Sequence, residues 1–177
     1  PHLLYSLNEG DLLTAFLFDM DCLKVINDQF GHTEGDFALQ VIGKAITNAF
    51  SDDAISTRFG GDEFYVLCSC DDDEANEFIV HVNKYLRNYN QLSSKPYLLS
   101  VSAGYASVSY HEDLTFPAIE DLINQADEKM YSIKKNQVKY IVCHNIKRFF
   151  STFCTRYFKF IRCHQCFKNI QIHFCIL

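Results

Sequence analysis

No run of about 18 uncharged apolar residues occurs anywhere in this chain, so no segment reads as a membrane span. No secretory leader is expected in this stretch either, because Pro1-His2-Leu3-Leu4-Tyr5 has neither a basic flank nor a cleavage pattern. The chain does not begin with Met, and residues upstream of Pro1 are therefore expected. Three prolines and seven glycines among 177 residues leave little room for low-complexity sequence. Residues 143–177 lack glycine, proline and acidic side chains altogether. What is present is a chain of 48% hydrophobic residues, long enough for one domain with a full core and a small appendage.

Charge is unevenly placed. The formal net charge is −6, yet all the acids lie before residue 141 and the last segment is purely basic. Such a split marks two segments with different histories or partners. Five of the eight cysteines (Cys143, Cys154, Cys163, Cys166 and Cys175) fall in that basic segment. Cys22, Cys68 and Cys70 sit in or beside apolar runs and read as reduced core thiols, which favours a reducing, cytoplasmic compartment.

Taken in order, Leu12–Phe18 is a continuous apolar run ending in Asp19-Met20-Asp21, the pattern of a strand buried on both faces. Leu23–Asp28 reads as a short helical turn or loop, and Gly31–Asp36 as a polar turn flanked by glycines. Ala38, Val41, Ile42, Ala45, Ile46 and Ala49 keep helical spacing. Two strand-like runs, Ile55–Phe59 and Phe64–Leu67, flank Gly60-Gly61-Asp62-Glu63 and predict a tight hairpin with its glycines in the turn. Asp71-Asp72-Asp73-Glu74 reads as the capped start of a helix through Ala75, Phe78, Ile79, Val82, Leu86 and Tyr89, in preference to a metal cluster. Tyr97–Ala106 predicts a long strand, a third helix runs from near Pro117 to Ile133, and Tyr140–Cys143 predicts a final strand. The expected architecture is α+β, a mostly antiparallel sheet covered by helices.

If the first strand and the hairpin are neighbours, three or four of the carboxylates Asp19, Asp21, Asp62 and Glu63 converge at one end of the sheet. Adjacent carboxylates repel, and such a group expects a hard cation of the Mg²⁺ type, which also binds nucleotide phosphates. Lys24 supplies positive charge for phosphate oxygens, and Asn27 and Asp36 are side-chain types able to read a base.

At these residues the chain resembles the GGDEF-domain diguanylate cyclases. The block Phe18–Asp28 is similar to the family's Asp-x-Asp-x-Phe-Lys-x-x-Asn-Asp pattern, Gly31–Asp36 to its Gly-His-x-x-Gly-Asp, and Gly60–Phe64 to the signature. Ala126–Tyr131 with Lys134 resembles the family's closing helix, and the similarity covers roughly residues 3–142. The resemblance implies a nucleotide-cyclase or palm-like fold with a ferredoxin-like core. It implies condensation of two GTP into cyclic di-GMP and two pyrophosphates, in a homodimer with one GTP per subunit. Asp19, the Met20 carbonyl and Asp62 would hold Mg²⁺ (or Mn²⁺), with Glu63 close by. Asp62 or Glu63 would help deprotonate the 3′-hydroxyl, Lys24 and Lys134 would face phosphates, and Asn27, Asp36 and His32 would select guanine. No nucleic-acid partner is implied, and an upstream sensory domain is expected beyond this chain.

The chain also departs from the family pattern. Ser51-Asp52-Asp53-Ala54 stands where many members carry an inhibitory Arg-x-x-Asp product site, so that feedback site is expected to be absent. Leu23 replaces the usual Phe, and Gln137-Val138-Lys139 replaces Gly-Arg-Asn, with Lys135 or Lys139 as candidate substitutes for the lost Arg. The family's opening Leu-Thr-Gly-Leu-x-Asn-Arg segment is not in the chain. Residues 143–177 resemble nothing in the family. Cys163-His164-Gln165-Cys166 is one pair without a well-spaced second and is weak for zinc. A basic amphipathic helix on a membrane surface and a non-native, frame-altered extension are the other readings, the last preferred. For function, the rival to an active cyclase is an impaired module that keeps GTP or partner binding; an incidental α+β domain explains none of the blocks together.

Overall fold

A computed structural model of the chain describes residues 3–134. The strand expected at Tyr140–Cys143, Lys135, Lys139 and the whole basic segment lie outside them. In chain order the elements are α1 (Leu3–Ser6), β1 (Leu12–Met20), α2 (Leu23–Phe30), α3 (His32–Ala49), β2 (Ile55–Gly60), β3 (Glu63–Ser69), α4 (Asp72–Leu92) and β4 (Val101–Ser109). A last helix, α5, occupies residues 116–134. The strands form one sheet in the order β2-β3-β1-β4, every neighbouring pair antiparallel. This is the α+β sheet expected from the pattern, with the strand order of a ferredoxin-like core.

β1 is central and covered on both faces, which is why it reads as one unbroken apolar run rather than an alternation. Its residues Phe16, Phe18 and Met20 belong to a core with Ala38, Ile42, Ile46, Val82 and Leu86 of α3 and α4. Its other face, Leu13, Ala15 and Leu17, meets Leu3 of α1 and Leu122, Ala126 and Met130 of α5. The period-two alternation of a strand divides one sequence between two cores. α4 begins as its acids imply: Asp71 is the N-cap, its carboxylate accepts the Glu74 N–H at 2.9 Å, and Glu74 Oε2 accepts the Asp71 N–H at 3.1 Å.

Three expectations change in detail. Gly31–Asp36 is no turn, since α3 starts at His32, directly after Gly31 at φ 88°. The Glu34 and Gly35 amides donate to the Gly31 carbonyl at 3.1 and 3.3 Å, so helical bonding begins where two glycines suggested a loop. Tyr97–Ser100 is not ladder strand, which starts at Val101. The Asn90 side chain takes both backbone groups of Leu99, accepting its N–H at 2.9 Å and donating to its C=O at 2.8 Å. A side chain there satisfies groups that a neighbouring strand would otherwise bind. The hairpin loop is Gly61-Asp62, with Gly60 already paired to Glu63.

α5 crosses β4 at Gly104. A Cβ at that position would stand 2.3 Å from both the Ala126 carbonyl oxygen and the Met130 nitrogen. Both are helix backbone and cannot rotate aside. Gly104→Ala should therefore destabilise the fold by about 1–3 kcal/mol, read as a lower denaturant midpoint. An unchanged midpoint would show that α5 can lift off β4 at no cost.

Candidate active site

The acids of the sequence gather at one end of the sheet. Asp19 is the penultimate residue of β1 and sits opposite Glu63, the first residue of β3, in the β1–β3 register. Residues paired in this way point to the same face of a sheet, a few ångströms apart. The Met20 N–H donates to the Asp62 carbonyl at 2.9 Å, which ties the hairpin loop to the end of β1. Gly61, at φ 48°, lets the loop turn tightly enough for this. Arg58 closes the loop from outside, donating from Nε at 3.1 Å and Nη2 at 2.6 Å to the Gly61 carbonyl. The chain then leaves β1 through Cys22, a non-glycine residue at φ 62°, before α2 begins. Such a strained connection next to a cluster of acids is a common mark of a functional corner.

The carboxylates approach without closing into a cage. Among the described residues no three His, Cys, Asp or Glu side chains are placed to hold a metal by themselves. Two contacts engage these acids instead. Lys134, the last described residue of α5, puts its ammonium 2.6 Å from Asp19 Oδ1. Asp21 turns toward β4, where Oδ1 accepts from Ser102 Oγ at 2.8 Å. Among the described residues the buried Asp21 Oδ2 has no hydrogen-bond partner, and Asp19 Oδ1 has the Lys134 ion pair alone. Burial pushes the Asp19 carboxyl above its ordinary value, against the pull of Lys134, and the charges of Asp62 and Asp21 push it further. Burial disfavours the charged Lys134, but its bond to Asp19 and the charges of Asp19, Asp62 and Asp21 outweigh this and raise its pKa overall. A buried carboxylate corner short of positive charge suits a hard divalent cation with oxygen ligands.

The remaining sequence candidates lie on the two helices that follow β1. Lys24 is exposed on the first turn of α2, and Asn27, partly buried, is one turn further on. His32 and Asp36 are exposed in the first turns of α3. Among the described residues, no hydrogen bond or ion pair joins Lys24, His32 or Asp36 to the acids of the sheet. Lys134 is brought to Asp19 directly. Sequence reasoning missed Asp21 and Ser102 as a bonded pair. The Asp-x-Asp spacing would have suggested that both acids share a face, but Asp21 lies beyond the strand end, where alternation stops applying.

The start of α3 is pinned from across the fold. Glu34 accepts from Lys95 Nζ at 2.8 and 2.7 Å and from the Tyr97 hydroxyl at 2.6 Å. The Lys95 and Tyr97 bonds hold the Glu34 carboxyl below its ordinary value. A carboxylate with a lowered folded pKa contributes stability that is present above its unfolded value of 4.5 and lost as pH falls through the folded one. Glu34→Gln should therefore melt lower than the wild type at neutral pH, with the gap closing as the solution is acidified below 4.5. A gap that stays constant with pH would contradict this.

A separate cavity of about 540 Å³ lies between β2, β3 and α5, lined by Ile55, Leu67, Phe116 and Ile123, with Tyr65 and Glu120 as its ionisable side chains. Its lining is mostly apolar, in contrast to the carboxylates at the strand ends.

The family model for the diguanylate cyclase GGDEF domain matches residues 2–139. Diguanylate cyclase A of Treponema denticola is 26% identical over 141 residues, covering 75% of this chain and 36% of the relative. Diguanylate cyclase DosC of Shigella sonnei is 32% identical over 139 residues, covering 71% of this chain and 27% of the relative. The chain thus spans about a third or less of these curated relatives. Among solved structures, the active GGEEF domain of a diguanylate cyclase from Vibrio cholerae aligns with a TM-score of 0.58 at 26% identity, over 71% of this chain and 78% of that one. A microbial GGDEF domain studied for its interaction with cyclic di-GMP aligns with a TM-score of 0.55 at 32% identity, over 71% and 74%. With the family model spanning well over half of its residues, the chain belongs to the GGDEF-domain diguanylate cyclase family.

Proposed function

We propose that residues 1–142 form a diguanylate cyclase domain that converts two GTP into cyclic di-GMP and two pyrophosphates. One observation carries this most: Asp19 and Glu63 are register partners on adjacent strands, with Asp62 bonded through its carbonyl to the next residue of β1. This supports reading the two acidic motifs as one site. In each half-reaction a 3′-hydroxyl attacks the α-phosphate of the GTP on the partner subunit. A phosphorus–oxygen bond to the ribose forms, the bond to the β-phosphate bridging oxygen breaks, and pyrophosphate leaves. Asp62 or Glu63 takes the hydroxyl proton, while Lys24 and Lys134 balance phosphate charge. Asn27, Asp36 and His32 select guanine. Asp19, the Met20 carbonyl, Asp62 and Glu63 are the groups that would hold Mg²⁺ (or Mn²⁺), which supplies further positive charge to the phosphates when bound. Positioning and electrostatics carry most of such a phosphoryl transfer.

The reaction needs two sites face to face, so the working unit is a homodimer. The domain is read as cytoplasmic and under control of a sensory region outside this chain, with the basic segment 143–177 not assigned to it. Among the described residues no helix is long and apolar enough to cross a membrane.

Incubation of the purified chain with GTP and Mg²⁺, followed by chromatography of the nucleotides, tests the proposal. Cyclic di-GMP and pyrophosphate in a ratio of one to two are expected. GTP binding without turnover would replace the cyclase with a guanine-nucleotide-binding module, and absence of both would remove the guanine site as well.

A further inference from the structure

Glycine is a poor helix former, and its presence inside a helix calls for a reason. Gly35 is buried in the first turns of α3. A Cβ added there would lie 1.9 Å from Asn27 Oδ1, 2.9 Å from Asn27 Cγ and 3.2 Å from Leu23 Cδ1. The Asn27 carboxamide thus rests directly on the bare Cα of Gly35. The backbone makes the same connection: the Asn27 carbonyl accepts the Gly31 N–H at 2.9 Å, and the Gly31 carbonyl accepts from Gly35 at 3.3 Å. The next side chain, Asp36, is the other proposed reader of guanine, and the preceding one, Glu34, is held by Lys95 and Tyr97.

We propose that Gly35 is a positioning residue for base selection: the missing side chain leaves the space in which the Asn27 amide is held beside Asp36, and any larger residue displaces it. The proposal rests on the guanine-binding reading above and adds what sets the geometry of that site. The steric demand is severe, because 1.9 Å is far inside van der Waals contact. It is also specific, because the two closest atoms belong to the Asn27 amide group rather than to an aliphatic stem.

The test uses 3′-deoxy-GTP and 3′-deoxy-ATP with Mg²⁺, analogues that lack the attacking oxygen and so report binding without turnover. Four proteins are titrated calorimetrically and melted: wild type, Gly35→Ala, Asn27→Ala and the double variant. Gly35→Ala should weaken 3′-deoxy-GTP binding about tenfold and reduce the guanine-over-adenine preference to a similar degree, about what loss of a hydrogen bond to a base costs. On the Asn27→Ala background the same substitution should change binding less than about twofold, because the group it displaces has been removed. The double variant should also recover the melting temperature lost in Gly35→Ala.

Equal effects of Gly35→Ala with and without Asn27 would overturn the proposal, as would an unchanged base preference in the single variant. Should Gly35→Ala fail to fold, rescue of folding by Asn27→Ala supports the contact and failure of rescue refutes it. A wild-type protein that binds neither analogue sinks the guanine site and this inference together, whereas a wild type that discriminates beside an indifferent Gly35→Ala sinks only the inference.

Discussion

Asp19→Asn is expected to lower cyclic di-GMP formation by about 10²–10³-fold, the loss of a few kcal/mol of charge stabilisation at a phosphoryl-transfer site. The same variant should melt no lower than the wild type. Asp19 is only 7% exposed, and its carboxyl is pushed above 3.8 by burial and by the charges of Asp62 and Asp21. An acid whose folded pKa exceeds its unfolded one weakens the fold as it ionises, so this part of the stability falls as pH rises through the interval starting at 3.8. The neutral amide removes that dependence, though it leaves Lys134 without its partner. A thermal melt across pH, set beside a GTP turnover assay, reads both effects. Wild-type turnover by the variant would remove Asp19 from the chemistry, and a large drop in melting temperature at neutral pH would mean that the Lys134 ion pair outweighs the burial of the acid.

Phe16→Ala should cost about 3–5 kcal/mol of folding stability, a large fraction of what a domain of this size possesses. Phe16 is 1% exposed at the centre of β1 and touches four other rings. Phe50 lies edge-on at 5.0 Å, Tyr105 at 5.6 Å, Phe18 stacks at 6.1 Å and Phe78 stands at 6.2 Å. These rings come from β1, the end of α3, α4 and β4, so the cavity would open where four elements meet and none can collapse inward alone. Urea unfolding at an unchanged slope measures the loss. A cost below about 1 kcal/mol, the level of a conservative core swap, would mean that the rings repack and that this core is looser than its geometry indicates.

The two substitutions separate site from scaffold. One is expected to remove activity while keeping the fold, the other to weaken the fold that brings the acids together. The separation has a structural origin. Even-numbered residues of β1 face α3 and α4 and carry the aromatic core, while Asp19 continues the odd-numbered row under α5. The alternation of one strand puts the aromatic core on one face and a second, aliphatic core, in line with Asp19, on the other.

Much of the fold was legible because its signals are local. The unbroken apolar run of β1, the helical spacing from Ala38 to Ala49 and the acids that cap α4 each act through neighbours in sequence. The hairpin followed from glycines whose backbone freedom the turn requires, and its acids came with it. Where two glycines bracketed Gly31–Asp36, the same rule misled: Gly31 starts a helix and Gly35 sits inside one, for a reason found across space in Asn27. Tyr97 and Leu99 are core residues and read as strand, yet the Leu99 backbone is satisfied by Asn90.

Residue patterns alone point to the α+β class and to most of the element order, though not to α1 or to the full length of α2, since alternation, helical period and turn chemistry are properties of short stretches. The grouping of Asp19, Asp62 and Glu63 came from the family resemblance. Only the folded chain decides that Lys134 reaches Asp19, that Asp21 turns to Ser102, and that α5 lies flush on Gly104. Those outcomes depend on the distance and angle at which whole helices cross the sheet, and such quantities emerge from the packing of many side chains at once.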